Sequence, residues 1–376
     1  LRRMPGSEWN TCNRFHTRPF FATLTATRGE STHKEVPVAD LSDVARAAGV
    51  SKATASRALG ATGYVADATR ERVRLAADSL GYVPSATAAS LVTGSTRNVA
   101  VVIPHINRWY FGAVLEGIEA SLIAAGYDLT LYRLSDDSDQ RRRVFDYFLV
   151  RKLVDAVISV GIELSPGEVE RLRELGKPVV GIGGPIAGVA TLSIDDEDAA
   201  RHATEHLISL GHERILHIGG HLQDEMDFGA HALRAKGFRA AMADAGLPCD
   251  SDAVVTTELN LAGGHAAGRD GLAAPRSRPA AVLAGADEVA FGASLAARQL
   301  GSLVPSQLSV IGIDGHELAP LFRLTTLAQH PETQGRQAVD MILGAMRGEA
   351  DEPTRVWHPF QPDLDVRGST TAPPAA

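Results

Sequence analysis

Residues 41–59 read Leu-Ser-Asp-Val-Ala-Arg-Ala-Ala-Gly-Val-Ser-Lys-Ala-Thr-Ala-Ser-Arg-Ala-Leu, and the spacing within them decides how the N-terminal part folds. Leu41, Val44, Ala45 and Ala48 fall at i, i+3, i+4 and i+7, one face of a short helix that Gly49 stops. Ser51 is placed to cap a second helix, in which Ala55, Ala58 and Leu59 face inward while Lys52, Ala53, Ser56 and Arg57 share the outer face. Inward residues this small let the second helix pack closely on the first and leave its outer face uncovered. Val73, Ala76, Ala77 and Leu80 repeat the apolar spacing, which predicts a third helix ended near Leu80 by Gly81 and Pro84. Residues 38–84 are therefore expected to form a three-helix, helix-turn-helix head.

From residue 98 the pattern changes. Apolar, largely β-branched runs at 99–104, 128–132, 156–160, 178–182, 214–218, 280–284 and 308–313 alternate with helical patterns, the first from 110 to about 125. Repeated strand-helix-strand units imply parallel sheet. Some 270 residues of this rhythm suit an α/β fold of two doubly wound lobes over 98–367 better than a closed eight-unit barrel, and place ligands between the lobes. Residues 1–37 and 368–376 are expected to be a disordered extension and tail.

The segment 41–59 resembles the N-terminal motif of the LacI/GalR repressor family. The likeness continues through Tyr64-Val-Ala-Asp-Ala-Thr-Arg-Glu-Arg-Val73, Leu80-Gly-Tyr-Val-Pro84, Ala88-Ala-Ser-Leu91, Val310-Ile-Gly-Ile-Asp-Gly315 and Leu324-Thr-Thr-Leu-Ala-Gln329, covering about residues 38 to 367. The resemblance implies a transcription regulator, mostly a repressor in this family, with a periplasmic-binding-protein-like second domain. Its expected partners are operator DNA, a small effector (a sugar, polyol or purine-like molecule) and a second copy of the chain. No cofactor is implied.

Family positions that touch DNA fall on Ser51, Lys52, Ala53, Thr54, Ser56 and Arg57. Arg57 can donate two hydrogen bonds to guanine, Ala53 can meet a thymine methyl, and the hydroxyls suit phosphates. Residues 85–97 match the hinge and its linker. There Leu91 is the expected minor-groove wedge, with Ala88 small enough to allow close approach. Family effector positions fall on Tyr110, Phe111, Asp195, Arg234 and Asp314. Arg234 and Asp314 look like a paired donor and acceptor for hydroxyls, and Trp109 adds a third ring beside the pocket. Asp287, opening the next helix, suits effector contact or a capping role equally. Gly183-Gly184 and Ala286 depart from side chains found in some relatives, so a relative's ligand does not transfer to this chain.

Composition narrows the alternatives. The net charge of −8 is uneven: residues 1–37 carry +3, residues 38–94 carry +1 and the remainder −12. DNA contact is therefore expected at the head alone. Cys12 and Cys249 cannot build a disulfide framework or complete a zinc site. The longest apolar runs are too short for a bilayer, which with the lack of a signal-like segment predicts a cytoplasmic protein. An enzyme would need a motif, yet the glycine-rich phosphate fingerprints and the Gly-x-Ser-x-Gly elbow are absent. His202-Ala-Thr-Glu-His206 fits one metalloprotease pattern but reads as a solvated helix face. A solute-binding protein would share the two lobes and have no use for the head.

Overall fold

The computed structural model describes residues 39–60, 64–82, 94–134, 138–149, 151, 153–222, 228–273, 280–349, 357–359 and 361–374. Internal contacts divide the chain after residue 84 into two units. The hinge positions Ala88 and Leu91, residues 1–37 and the residues ending the tail lie outside the described residues.

In the first unit, α1 (Leu41–Ala47) opens on a reciprocal cap: the Asp40 carboxylate accepts from the Ser42 and Asp43 amides at 2.6 and 3.0 Å, and Asp43 accepts from the Asp40 amide at 3.1 Å. Two of the helix's orphan donors are thereby satisfied. Helix α2 (Lys52–Leu59) starts at Ser51, whose hydroxyl accepts from the Thr54 amide at 3.1 Å. Helix α3 (Asp67–Ser79) packs on both. Val44, Ala45, Ala48, Ala55, Ala58, Val65, Val73 and Ala77 form the core. Leu80, expected inside, is 40% exposed because α3 ends one residue earlier.

The second unit runs β1 (Asn98–Ile103), α4 (Trp109–Ala124), β2 (Asp128–Arg133), α5 (Ser138–Arg143), β3 (Ala156–Val160), α6 (Pro166–Glu174), β4 (Val179–Ile182), β5 (Ala190–Ser193), α7 (Asp196–Ser209), β6 (Ile215–Gly219), α8 (Ala230–Asp244), β7 (Val254–Thr256), α9 (Leu261–Leu272), β8 (Ala281–Ala284), α10 (Asp287–Gln299), β9 (Ser309–Asp314), α11 (Ala319–Phe322), β10 (Thr325–Ala328), α12 (Pro331–Met346), β11 (Trp357–Pro359) and β12 (Asp363–Asp365). The strands form two six-stranded sheets, ordered β11-β5-β4-β3-β1-β2 and β12-β10-β9-β8-β6-β7. All neighbours run parallel except β10 and β12.

Alternation along each strand feeds both faces of its sheet. Val99, Val101 and Ile103 face one apolar layer, under α4 and α12, while Ala100 and Val102 face the layer that holds Leu134, Phe145 and Leu172. In the second sheet Val282 and Ala284 face Val289 and Phe291, and Ala281 and Leu283 face Leu207 and Phe238. Helices α4 and α12 touch backbone to backbone. A Cβ on Gly117 would lie 2.1 Å from the Glu332 carbonyl oxygen, and one on Gly335 2.3 Å from that of Val114.

Two expectations about the ends of this unit are corrected. Residues 95–97, assigned to the linker, are clamped on the first lobe: the Ser95 hydroxyl and the Thr96 and Arg97 amides donate to Asp155 at 2.5, 2.8 and 2.8 Å. Residues 368–371, expected in a disordered tail, lie along the second sheet. The Val310 amide donates to the Ser369 carbonyl at 2.8 Å, the Thr325 amide to the Ser369 hydroxyl at 2.7 Å, and the Thr371 amide to the Ser309 hydroxyl at 3.0 Å. Short hydroxyl side chains complete the hydrogen bonding of the strand ends there, a role that low hydrophobicity conceals. No helix among the described residues is long and apolar enough to cross a membrane.

Candidate functional site

On the head, Ser51, Lys52, Ala53, Ser56 and Arg57 are exposed along one face of α2, and Thr54 is half-buried. Ser51 serves both as the helix cap and as the partner of the Thr54 hydroxyl at 2.9 Å. Arg57 donates from Nε to the Ala53 carbonyl at 3.2 Å. Tyr64, which sequence reasoning did not single out, is 93% exposed just before α3. A large ring almost fully in water is available for contact.

In the second unit a cavity of about 400 Å³ opens between the two lobes, at the carboxyl ends of the strands. Its lining includes Tyr110, Phe111, Arg234 and Asp314, four of the five expected effector residues. Asp195 is not among them. It caps α7, accepting from the Asp198 amide at 3.0 Å with its side chain exposed. Curling back onto its own helix turns it from the cleft, and the next residue, Asp196, points inward instead. Trp109 also lies outside the lining; its ring stacks on His316 of the second lobe, centroids 4.4 Å apart.

Arg234 and Asp314 do not pair with each other. Arg234 is buried and donates from Nε to Asp196 Oδ1 at 2.8 Å, with Nη2 also 2.8 Å from that oxygen, and from Nη1 to the Gly285 carbonyl. Burial opposes its charge, but Asp196 and Asp314 outweigh that and raise its pKa. Asp314 accepts from the Gln329 amide nitrogen at 2.6 Å and from the Asp287 amide at 3.3 Å. Burial, then the neighbouring Asp287 carboxylate, pushes Asp314 up to about 8. Asp287 itself is fully buried behind the cavity, accepting from the His316 amide at 2.8 Å and the Thr326 hydroxyl at 2.7 Å. It therefore braces the loop after β9; Ala286 holds the cap position of α10.

A relay of polar contacts crosses between the lobes. The Tyr110 hydroxyl donates to Gln334 Oε1 at 3.2 Å, Gln334 Nε2 to the Gln329 carbonyl at 2.7 Å, and Gln329 Nε2 to Asp314. Burial, followed by the nearby Asp314 and Asp196 charges, holds the Tyr110 phenol well above its ordinary pKa. Arg108 meets Glu258 of the second lobe at 3.1 Å on the cavity rim. The two glutamines, Asp196 and Phe228, whose ring also lines the cavity, escaped sequence reasoning because their roles depend on residues far away in the chain.

His206 is half-buried and meets the Thr370 hydroxyl at 3.1 Å, and no cluster of metal-binding side chains exists among the described residues.

A helix-turn-helix head followed by a two-lobed, cleft-bearing α/β unit defines the class of ligand-responsive DNA-binding regulators. Residues 40–85 match the model for bacterial regulatory proteins of the lacI family, and residues 204–370 that for a periplasmic binding protein-like domain. The chain is 34% identical over 339 residues to the HTH-type transcriptional repressor PurR of Vibrio parahaemolyticus, with 88% of this chain and 98% of that repressor covered. It belongs to the lacI family. Among solved structures, a transcriptional regulator CelR–cellobiose complex matches with a TM-score of 0.63 at 29% identity, over 88% of this chain and 99% of that one. The lac repressor dimer bound to operator and the anti-inducer ONPF matches with a TM-score of 0.77 at 22% identity, over 89% and 99%. The relatives are transcription regulators rather than enzymes, and this chain is a DNA-binding regulator with an effector-binding domain.

Proposed function

We propose that this regulator is a cytoplasmic repressor which binds operator DNA as a homodimer and whose operator affinity is set by a sugar-like effector held in the cleft. The observation that carries the effector assignment is the grouping of Arg234, Asp196 and Asp314 beside the rings of Tyr110, Phe111 and Phe228 in one cavity. Polar groups at one end and rings along the side suit a molecule with neighbouring hydroxyls and an apolar face. In this reading Lys52, Ala53 and Arg57 meet base edges, while Ser51, Thr54 and Ser56 meet phosphates. Ala88 and Leu91 enter the minor groove. Exposed Leu321 and Phe322 on α11 supply apolar surface for a second copy.

The test is a fluorescence-anisotropy titration of the protein on its own upstream DNA, at fixed salt, with ribose, cellobiose, xylitol and guanine as probes. Specific binding that a sugar or polyol shifts supports the reading. A response to guanine alone transfers the cleft to purines, and failure to bind any fragment of a genomic library specifically overturns the regulator.

A further inference from the structure

Phe228 follows β6 of the second lobe, yet its ring packs against the first lobe's apolar layer. Its seat is Gly183-Gly184. A Cβ on Gly184 would lie 2.3 Å from Phe228 Cγ, a separation no real side chain holds, and one on Gly183 would lie 3.6 Å from Phe228 Cε2. Gly183 also has φ +114°, which side chains rarely adopt. Phe228 itself has φ +60°, unusual for an aromatic residue, so local backbone preference does not explain where the ring sits. The seat does. On the same wall Phe111 lies against Gly161, where a Cβ would be 2.6 Å from its Cε1. Both rings line the cavity, together with Gly161 and Gly183.

We propose that Phe228 is a specificity-determining plug: from the second lobe it supplies the aromatic wall that Gly183-Gly184 leaves open in the first, so that seating the ring and closing the lobes are one event. Its meaning for ligand choice rests on the cleft being the effector site; the plug itself does not. With Phe111 it forms a surface for one apolar ring face, and any side chain at position 184 removes that surface by expelling Phe228. An independent reporter of closure is the stack of Trp109 in the first lobe on His316 in the second.

The experiment uses the full chain with Trp9→Phe and Trp357→Phe, leaving Trp109 as the sole tryptophan, and follows its selectively excited emission and the radius of gyration from small-angle X-ray scattering. Gly184→Ala is expected to shift Trp109 emission to the red and enlarge the radius. Phe228→Ala should do the same, and Gly184→Ala added to Phe228→Ala should change neither further, since the clash it creates is gone. Unchanged emission and radius in both single variants, or additive effects in the double variant, overturn the plug. Should Gly184→Ala fail to fold, Phe228→Ala against Phe228→Leu carries the same decision: the plug requires the larger shift for alanine, and equal emission in the two variants refutes it. Neither readout involves DNA or effector. A missing operator response with the plug intact therefore sinks the cleft's effector role alone.

Discussion

Arg234 is held by Asp196, one residue beyond the helix-capping Asp195, with Nε and Nη2 both 2.8 Å from a single carboxylate oxygen. Adjacent aspartates thus do different work, and substitution separates them. Asp196→Ala strands a buried guanidinium and is expected to cost about 3–5 kcal/mol, read in urea unfolding, and to abolish any effector response. Asp195→Ala removes only a cap, at about 1 kcal/mol, and keeps the response. Equal losses would show that the pairing does not matter.

Arg57 is exposed on the outer face of α2, with Nε donating to the Ala53 carbonyl. Arg57→Ala should weaken operator binding by about 1–3 kcal/mol while leaving nonspecific binding nearly unchanged, measured by anisotropy at one salt concentration. A uniform loss on every sequence would reassign it to phosphate contact.

His217 is fully buried in β6, and its Nε2 has no hydrogen-bond partner among the described residues. Burial depresses its pKa to about 4. An unfolded histidine protonates near pH 6.5, so the folded chain loses stability as pH falls from about 6.5 to 4, by up to about 3 kcal/mol. His217→Leu should flatten that acid limb in thermal melts; an unchanged slope would assign the limb to other groups.

Asp314 shifts the opposite way, raised to about 8 by burial and by Asp287. Its contribution is complete below the ordinary carboxylate range and is lost as pH climbs toward 8, because the unfolded carboxyl has already ionised. Asp314→Asn copies the neutral acid and should raise the melting temperature relative to the parent most at pH 8 and least near pH 4. A uniform offset across that range would show that ionisation is not involved.

Gly117 and Gly335 let α4 and α12 meet backbone to backbone. Gly117→Ala is expected to cost about 1–3 kcal/mol through overpacking. Gly335→Ala should act alike, and the pair should fall short of the sum because one separation of the helices relieves both clashes. Full additivity would mean the two contacts relax independently.

The head was legible because its signals are local: Ser51 caps within three residues, and the alanines of α2 repeat at helical spacing. The βαβ rhythm was equally plain in 98–103 and 156–160, where buried parallel strands are continuous apolar runs. The short β5, β7 and β12 carry too few apolar residues to stand out. In the cleft, Tyr110, Phe111, Arg234 and Asp314 were found through resemblance, whereas Asp195 was mistaken for its neighbour because a one-residue shift at a helix start reverses the side-chain direction. Phe228 and Gln334 reach the cavity from distant segments, and nothing near them in the chain announces it.

The topology of the second unit has a practical corollary. The first sheet draws β1 to β5 from residues 98–193 and takes β11 from 357–359, and α12, which shields it, arrives only at 331–346. The second sheet is completed in turn by β12 at 363–365. Neither lobe is a contiguous fragment, so truncating the gene after residue 193 would yield a sheet stripped of its covering helix. A circular permutant that joins 331–359 to the front of 98–193 would be the shortest route to a free-standing first lobe.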